Sequence, residues 1–328
     1  MRFPLFIYFY MKKKKLAVVG ATGLVGQTIL KCLREQNLLG RLDIYLISNH
    51  LAGKFLIFGE HHYYLFALSE QILEENFDYA IFAVDEQVSK NWAQKFVDSG
   101  AIVIDNSSAF RLKKQVPLVV PEINFDAIGD SHIIANPNCS TIQLVLVLDR
   151  LRQIAPIKKV VVSSYQSVSG AGKAALDELE HGGTNIFEKG IKDNIIAKIG
   201  SIDKFGNSTE ENKIVLESKK ILNSDFEIFA TAVRVPIAYC HGESVYVEFD
   251  RAIDFEGTKE VLSSTSDIVF SEDVVCPTEV AGSNKTYVYR LRKFGENKLG
   301  LFILADNLRR GAAYNAVKIL EFLEQMKH

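Results

Sequence analysis

The stretch "KLAVVGATGLVGQTILKCL", residues 15–33, decides the architecture. Its opening is an unbroken apolar run, the pattern of a strand buried on both faces of a parallel sheet. Gly20, Gly23 and Gly26 follow at once, and Val25, Ile29, Leu30 and Leu33 then recur at helical spacing. Strand, glycine turn and helix in that order open a doubly wound fold. Glycines here let the backbone approach a pyrophosphate, which the positive end of the helix attracts. The candidate cofactor turn is therefore Gly20, Ala21, Thr22, Gly23, Leu24 and Val25, the alternative being a tight turn without a ligand.

Outward from this unit the alternation continues with "LDIYLIS" at 42–48, "YAIFAV" at 79–84, the helix "EQVSKNWAQKFVDSG" and the strand "AIVIDNS" at 101–107. This predicts a Rossmann-type, doubly wound parallel sheet over residues 12–138. From residue 139 strands come in longer runs, "IKKVVVSSYQSV", "EIFATAVRVP", "ESVYVEFD", "KTYVYRLRK" and "LGLFILAD", with helices between only some of them. A second, α+β domain with a mainly antiparallel sheet is expected over 139–306. The closing helix, within 307–328, directs Ala313, Ala316, Val317, Ile319, Leu320 and Leu323 to a core, expected to lie on the first domain. His181 to Ser208, rich in Gly, Asn, Lys and Asp, reads as a surface excursion.

Composition narrows the class. At 328 residues, 48% hydrophobic and 24% charged, the chain matches an ordinary two-domain enzyme. A net charge of −2 supplies no basic surface for nucleic acid. Cys32, Cys139, Cys240 and Cys276 show no ligand spacing, and His61 and His62 stand without further spaced ligands, so neither a disulfide framework nor a metal is expected. Reduced thiols fit the cytoplasm. The first ten residues, "MRFPLFIYFY", are too few to span a bilayer; a start at Met11 or a short extension is expected, with no membrane partner.

"NPNCST", residues 136–141, raises a question of chemistry. Asn138 is a good N-cap, which puts Cys139 in the first helical turn. There the helix dipole favours the thiolate. The helix behind it is apolar on nearly every face, so a simply packed thiol is the other reading.

The glycine turn, "NPNCST", "SSYQSVSGAG", "RVP" with His241 downstream and the terminal "DNLRRGAA" together resemble the aspartate-semialdehyde dehydrogenase family, in this order and from about Lys15 onward. The resemblance implies a homodimeric enzyme of lysine/diaminopimelate, methionine and threonine biosynthesis. Such an enzyme reduces L-aspartyl-4-phosphate to L-aspartate-4-semialdehyde with NADPH and releases phosphate. It would make Cys139 the nucleophile that forms a thioester and His241 the acid/base, with a pKa near neutrality suiting both directions. Gln166 would orient the acyl group, and Asn138 with the helix-start N–H groups would face the oxyanion. Arg234 would grip the substrate carboxylate, Glu210 its ammonium, and Lys213 and Arg111 the phosphate. Ser169, Gly170 and Asn307 would lie against the cofactor. The residue-level alternatives are plainer: a strand-end polar group for Gln166, structural ion pairs for Arg234, Arg111 and the Glu210/Lys213 pair, and helix caps for Ser169 and Asn307.

Cofactor choice turns on "ISNHLAGK" after the second strand. It lacks the acidic residue that would bind a ribose 2′-hydroxyl, so NADP is favoured, with Ser48, His50 and Lys54 nearby. The family often has an arginine where this chain has His50. It commonly has a run of small residues where this chain reads "AVDEQ", so Asp85 either repels phosphate or caps the next helix. The region 182–208 is shorter than usual. N-acetyl-glutamyl-phosphate reductase, with the same thioester strategy, and an inactive NADP-binding paralogue are the rivals.

Overall fold

The structure, a computed structural model, describes residues 13–326; the apolar start and Met11 lie outside the described residues. The first half runs β1 (Lys14–Val19), α1 (Leu24–Glu35), β2 (Leu42–Ile47), β3 (Phe55–Phe58), β4 (His61–Phe66), β5 (Tyr79–Phe82), α2 (Glu86–Asp98), β6 (Ile102–Asp105), α3 (Pro121–Asn124) and β7 (Ile133–Ala135). The second begins with α4 (Cys139–Leu151), β8 (Ile157–Gln166), α5 (Lys173–His181), α6 (Thr209–Leu222), β9 (Glu227–Arg234) and β10 (His241–Phe249). It ends with α7 (Phe255–Ser263), β11 (Ile268–Ser271), α8 (Pro277–Val280), β12 (Thr286–Lys293), β13 (Lys298–Ala305) and α9 (Tyr314–Met326).

The first sheet has the order β3-β4-β2-β1-β5-β6-β7, and only the β3–β4 pair is antiparallel. Register aligns Ile47, Val19, Phe82, Asp105 and Ala135 across the sheet. Their successors Ser48, Gly20, Ala83, Asn106 and Asn136 therefore share one rim, the carboxyl rim where open sheets bind ligands. Ala313, Ala316, Val317, Ile319, Leu320 and Leu323 form one buried cluster with Leu16, Val18, Ile29, Leu30 and Leu33, so the closing helix does pack on this domain.

The second sheet has the order β11-β12-β13-β10-β8-β9, antiparallel at its centre and parallel in the two edge pairs. Helix α4 is apolar all round because it is enclosed. Its residues share one core with Val19 and Phe82 of the first sheet and with Val162, Val245 and Ile303 of the second. Each fully buried aliphatic side chain there contributes about 1.5–3 kcal/mol of transfer free energy. The packed-thiol reading of "NPNCST" was thus right about the helix body, while its first residue opens on the rim.

"GEHHYYLF" contributes β4, which pairs with β3 as a hairpin on the sheet edge. Two features differ from the sequence reading. The terminal helix starts at Tyr314: residues 309–313 form a wider turn, because the Asp306 carboxylate accepts the N–H groups of Leu308 (2.9 Å) and Arg309 (3.1 Å). The excursion after His181 returns to the sheet, where Ile196 and Arg234 exchange both backbone hydrogen bonds.

Candidate active site

Two cavities open on the rim. The first, about 370 Å³, is lined by Gly20, Thr22, Gly23, Ser48, His50, Val84 and Asp85, among others. Gly20 has φ +85°, and a Cβ built on it would lie 2.3 Å from the Ala83 carbonyl oxygen. A Cβ on Gly26 would lie 2.2 Å from Gly20 O, so this glycine lets α1 sit on the turn. These are the features a dinucleotide cradle needs, and the residues present fit one. Thr22 and Ser48 hydroxyls meet at 2.7 Å beside it. His50 is the basic side chain of this lining; Lys54 is outside it. Asp85 caps α2, accepting the Val88 N–H at 2.9 Å, as one of its two readings expects, and it also lines the cavity. Ala21 is buried beneath the turn, and Leu24 lines a separate hollow with Lys31, Tyr239 and Arg309.

The second cavity, about 340 Å³, brings together Cys139, Asn138, Gln166, Glu210, Lys213, Arg234 and Arg111, with Val25, Ser169, Gly170 and Asn307. Val25, Ser169, Gly170 and Asn307 thus meet the nucleophile's cavity and not the glycine-turn one. The second sheet explains the convergence. His241 pairs with Gln166 on β8, and Gln166 pairs with Arg234 on β9, so three neighbouring strands place the three residues in one row on one face. Helix α4 delivers Cys139 from the opposite side and α6 delivers Glu210 and Lys213.

Asn138 caps α4: its Oδ1 accepts the N–H groups of Ser140 (3.0 Å) and Thr141 (3.3 Å). Its Nδ2 donates to Glu210 Oε1 at 2.8 Å. The cap therefore consumes two of the expected oxyanion donors. The Cys139 N–H keeps no partner among the described residues. Glu210 is buried and accepts also from Gln166 Nε2 and Lys213 Nζ, each at 3.2 Å. Burial raises its carboxyl, but Lys213 and the bonds from Asn138 and Gln166 prevail and hold it below the usual range. The exposed-pair alternative for Glu210 fails on this burial.

Two electrostatic expectations are reversed. The Cys139 thiol is pushed up to about 12, chiefly by burial and then by Glu210, against the pull of Arg111, Arg234 and Lys213. Desolvation of a half-buried thiol at this helix start outweighs the dipole. His241, wholly buried, is lowered to about 3 by burial and then by Arg234, so it is neutral, not poised near neutrality. Its Nδ1 accepts the Ser167 N–H at 3.0 Å, which assigns the ring proton to Nε2. That Nε2 has no partner and lies behind Gly170, whose built Cβ would sit 3.3 Å from it.

Arg234 is 5% exposed, donates through Nη1 to Ser167 O at 2.5 Å and leaves Nε unpartnered. No carboxylate pairs with it among the described residues, so the structural-ion-pair alternative is not found. Arg111 combines both its readings: it lines the cavity and pairs with Glu217 at 3.3 Å. Asn307 accepts from Cys240 N and Ser167 Oγ, both at 3.0 Å, and donates to Ser169 Oγ at 3.0 Å, so these residues form one polar mesh behind His241.

Sequence reasoning missed Ser167, Glu217 and Gly311. Glu217 follows Glu210 by seven residues and so shares its helix face, a signal that was available. Gly311 stands where a Cβ would lie 2.8 Å from Cys139 Cβ, a contact between segments 172 positions apart that no local pattern reveals. Among the described residues no group of three His, Cys, Asp or Glu could hold a metal, and no helix is long and apolar enough to cross a membrane.

The profile "Semialdehyde dehydrogenase, NAD binding domain" matches residues 15–131, and "Semialdehyde dehydrogenase, dimerisation domain" matches 148–310. The chain is 40% identical to an aspartate-semialdehyde dehydrogenase of Rickettsia bellii, over 95% of this chain and 98% of that protein. The crystal structure of aspartate semialdehyde dehydrogenase II from Vibrio cholerae matches with a TM-score of 0.91 at 36% identity, covering 96% of this chain and 99% of that one. The same Vibrio enzyme complexed with ASA matches with a TM-score of 0.91 at 35% identity and the same coverage.

Proposed function

The chain belongs to the aspartate-semialdehyde dehydrogenase family, and from that premise we propose that it reduces L-aspartyl-4-phosphate to L-aspartate-4-semialdehyde with NADPH, releasing phosphate. One observation carries the reading of the substrate. Arg234 is a buried guanidinium without a carboxylate partner among the described residues, lining the cavity that holds Cys139. An unpaired buried charge is costly, and the carboxylate of an amino-acid substrate would supply the missing anion. Glu210, in the same cavity lining, suits the ammonium.

With the substrate held at both ends, the Cys139 sulfur attacks its acyl carbon, the phosphate leaves toward Arg111 and Lys213 carrying the thiol proton, and a thioester forms on Sγ. Gln166, held between Ser164 Oγ and Glu210, limits the orientations open to that acyl group. The glycine turn with Thr22 and Ser48 would hold NADPH, which when bound would supply the hydride for the reduction. The free Cys139 N–H is the donor placed for the oxygen that gains charge. His241, neutral with its proton on Nε2, lies behind Gly170 and outside the cavity lining, so it would donate to the same oxygen only if that segment gave way. Acceptance of the thiol proton by this ring would need the other tautomer, which the Ser167 N–H opposes.

The same reading assigns residues 12–138 with 307–328 to cofactor binding and 139–306 to catalysis and dimerisation. Val161, Tyr165 and Phe229 expose apolar surface on the outer face of the second sheet, suited to a second copy. The test is direct. Purified protein given L-aspartate semialdehyde, NADP and phosphate should reduce the cofactor, and Cys139→Ala should abolish this while leaving the fold unchanged. Unaltered turnover in that variant would refute the mechanism. Repeating the assay with NAD measures how far His50 serves the 2′-phosphate.

A further inference from the structure

Helix α6 carries Glu210, Lys213, Glu217 and Lys220 at successive intervals of three, four and three, which puts all four on one face. The first two belong to the substrate site already described. Glu217 lies one turn and more beyond, 1% exposed. Its Oε2 accepts the backbone N–H of Asn138 at 2.7 Å, and its Oε1 accepts Arg111 Nη1 at 3.3 Å. Both oxygens accept, as those of an ionised carboxylate do. Lys220 completes the arrangement by donating to the carbonyl oxygens of Arg111 (2.8 Å), Lys113 (2.8 Å) and Val116 (2.7 Å). One helix thus holds the arginine by its side chain and its main chain, and also holds the residue that precedes the nucleophile.

The tethering of Arg111 has a directional consequence. Nε donates to Asn136 O at 2.9 Å, Nη2 to Asn106 O at 2.6 Å and Nη1 to Glu217. A guanidinium has five N–H groups, so one remains on each terminal nitrogen. Two N–H groups on adjacent nitrogens form the fork that takes a phosphate through two oxygens.

We propose that Glu217 is a positioning residue of the reaction, aiming the free fork of Arg111 at the phosphate and tying it to the backbone that starts the Cys139 helix. The proposal rests on the reading of Arg111 as a phosphate ligand, and the experiment separates the two. Glutamine at 217 keeps the shape but can accept only one of the two bonds; its amide N–H₂ then opposes the other donor.

Steady-state kinetics in the phosphorylating direction are measured for Glu217→Gln, Arg111→Ala and the double variant, with phosphate and semialdehyde varied in turn. Expected for Glu217→Gln is a rise of about tenfold in KM for phosphate, with KM for semialdehyde changed by less than about twofold. In the Arg111→Ala background the same change should do almost nothing to the phosphate KM, since the residue it acts through is gone. Additive effects in the double variant, or equal rises in both KM values, would reduce Glu217 to a structural group and overturn the proposal. An unchanged phosphate KM in Arg111→Ala overturns the reading of Arg111 and the proposal with it. A raised one in Arg111→Ala with none in Glu217→Gln overturns the role of Glu217 alone. Should Glu217→Gln not fold, Glu217→Asp keeps the charge, shortens the reach and reads the same split.

Discussion

Gly311→Ala is the substitution whose outcome the structure defines most sharply. A Cβ at 311 would lie 2.8 Å from Cys139 Cβ, 3.1 Å from Cys139 Cα and 3.3 Å from Cys139 O. Ordinary carbon contacts are about 3.5–4.0 Å, so one segment must retreat by about 1 Å. Helix α4 is walled in behind Cys139 by the residues from Ser140 to Leu151, nearly all of them buried. The displacement therefore falls on the turn at 309–313 and on Cys139 itself. Overpacking of this kind costs about 1–3 kcal/mol of stability. A 1 Å misplacement of a reacting group costs about 10²-fold in rate, or about 2.7 kcal/mol of transition-state stabilisation. The assay compares kcat for semialdehyde oxidation with the urea midpoint of the same sample. The expected result is a loss of about 10²-fold in kcat with a stability loss of a few kcal/mol at most. A kcat within twofold of the parent would show that the turn yields freely and that Gly311 does not set the position of the nucleophile.

Three further outcomes follow from burial and from backbone geometry. Because the Cys139 thiol is pushed up to about 12, its alkylation by iodoacetamide in the absence of ligands should keep rising with pH through pH 9; a plateau near pH 7 would show a thiolate stabilised by the helix dipole instead. Glu243, wholly buried with Ser164 and Ile303 opposite and Gln143 near, is held by burial well above its ordinary value of 4.5. The unfolded chain releases this proton from about that pH upward while the folded chain retains it, so the group costs more stability as pH rises. In urea melts Glu243→Gln should therefore gain on the parent between pH 5 and 8, and a pH-independent difference would contradict the assignment. Gly20→Ala imposes φ +85° on a residue with a Cβ and drives that atom to 2.3 Å from Ala83 O. NADP affinity, measured by titration calorimetry, should fall at least about tenfold; an unchanged Kd would mean that the turn is not the cradle.

The sequence by itself determined the elements that depend on neighbours in the chain. The apolar run to Val19, the three glycines and the helical spacing from Val25 required the strand, the turn and α1, because periodicity and the freedom of glycine are local properties. The Asn138 cap is local too, and it appears as read. Motif resemblance located Cys139, Gln166, Glu210, Lys213, Arg111 and Arg234, which one cavity does bring together.

What the tertiary structure decided is how those residues feel one another. His241, Gln166 and Arg234 lie in one row only because β10, β8 and β9 pair in that register, and no segment encodes a register by itself. Gly311 against Cys139 and Glu217 between Arg111 and Asn138 are contacts across large separations in the chain. Protonation shows the difference best. The dipole at the start of α4 could be read from sequence and argued for a thiolate, whereas desolvation depends on everything packed around Cys139 and His241, and in the folded chain desolvation is the larger effect.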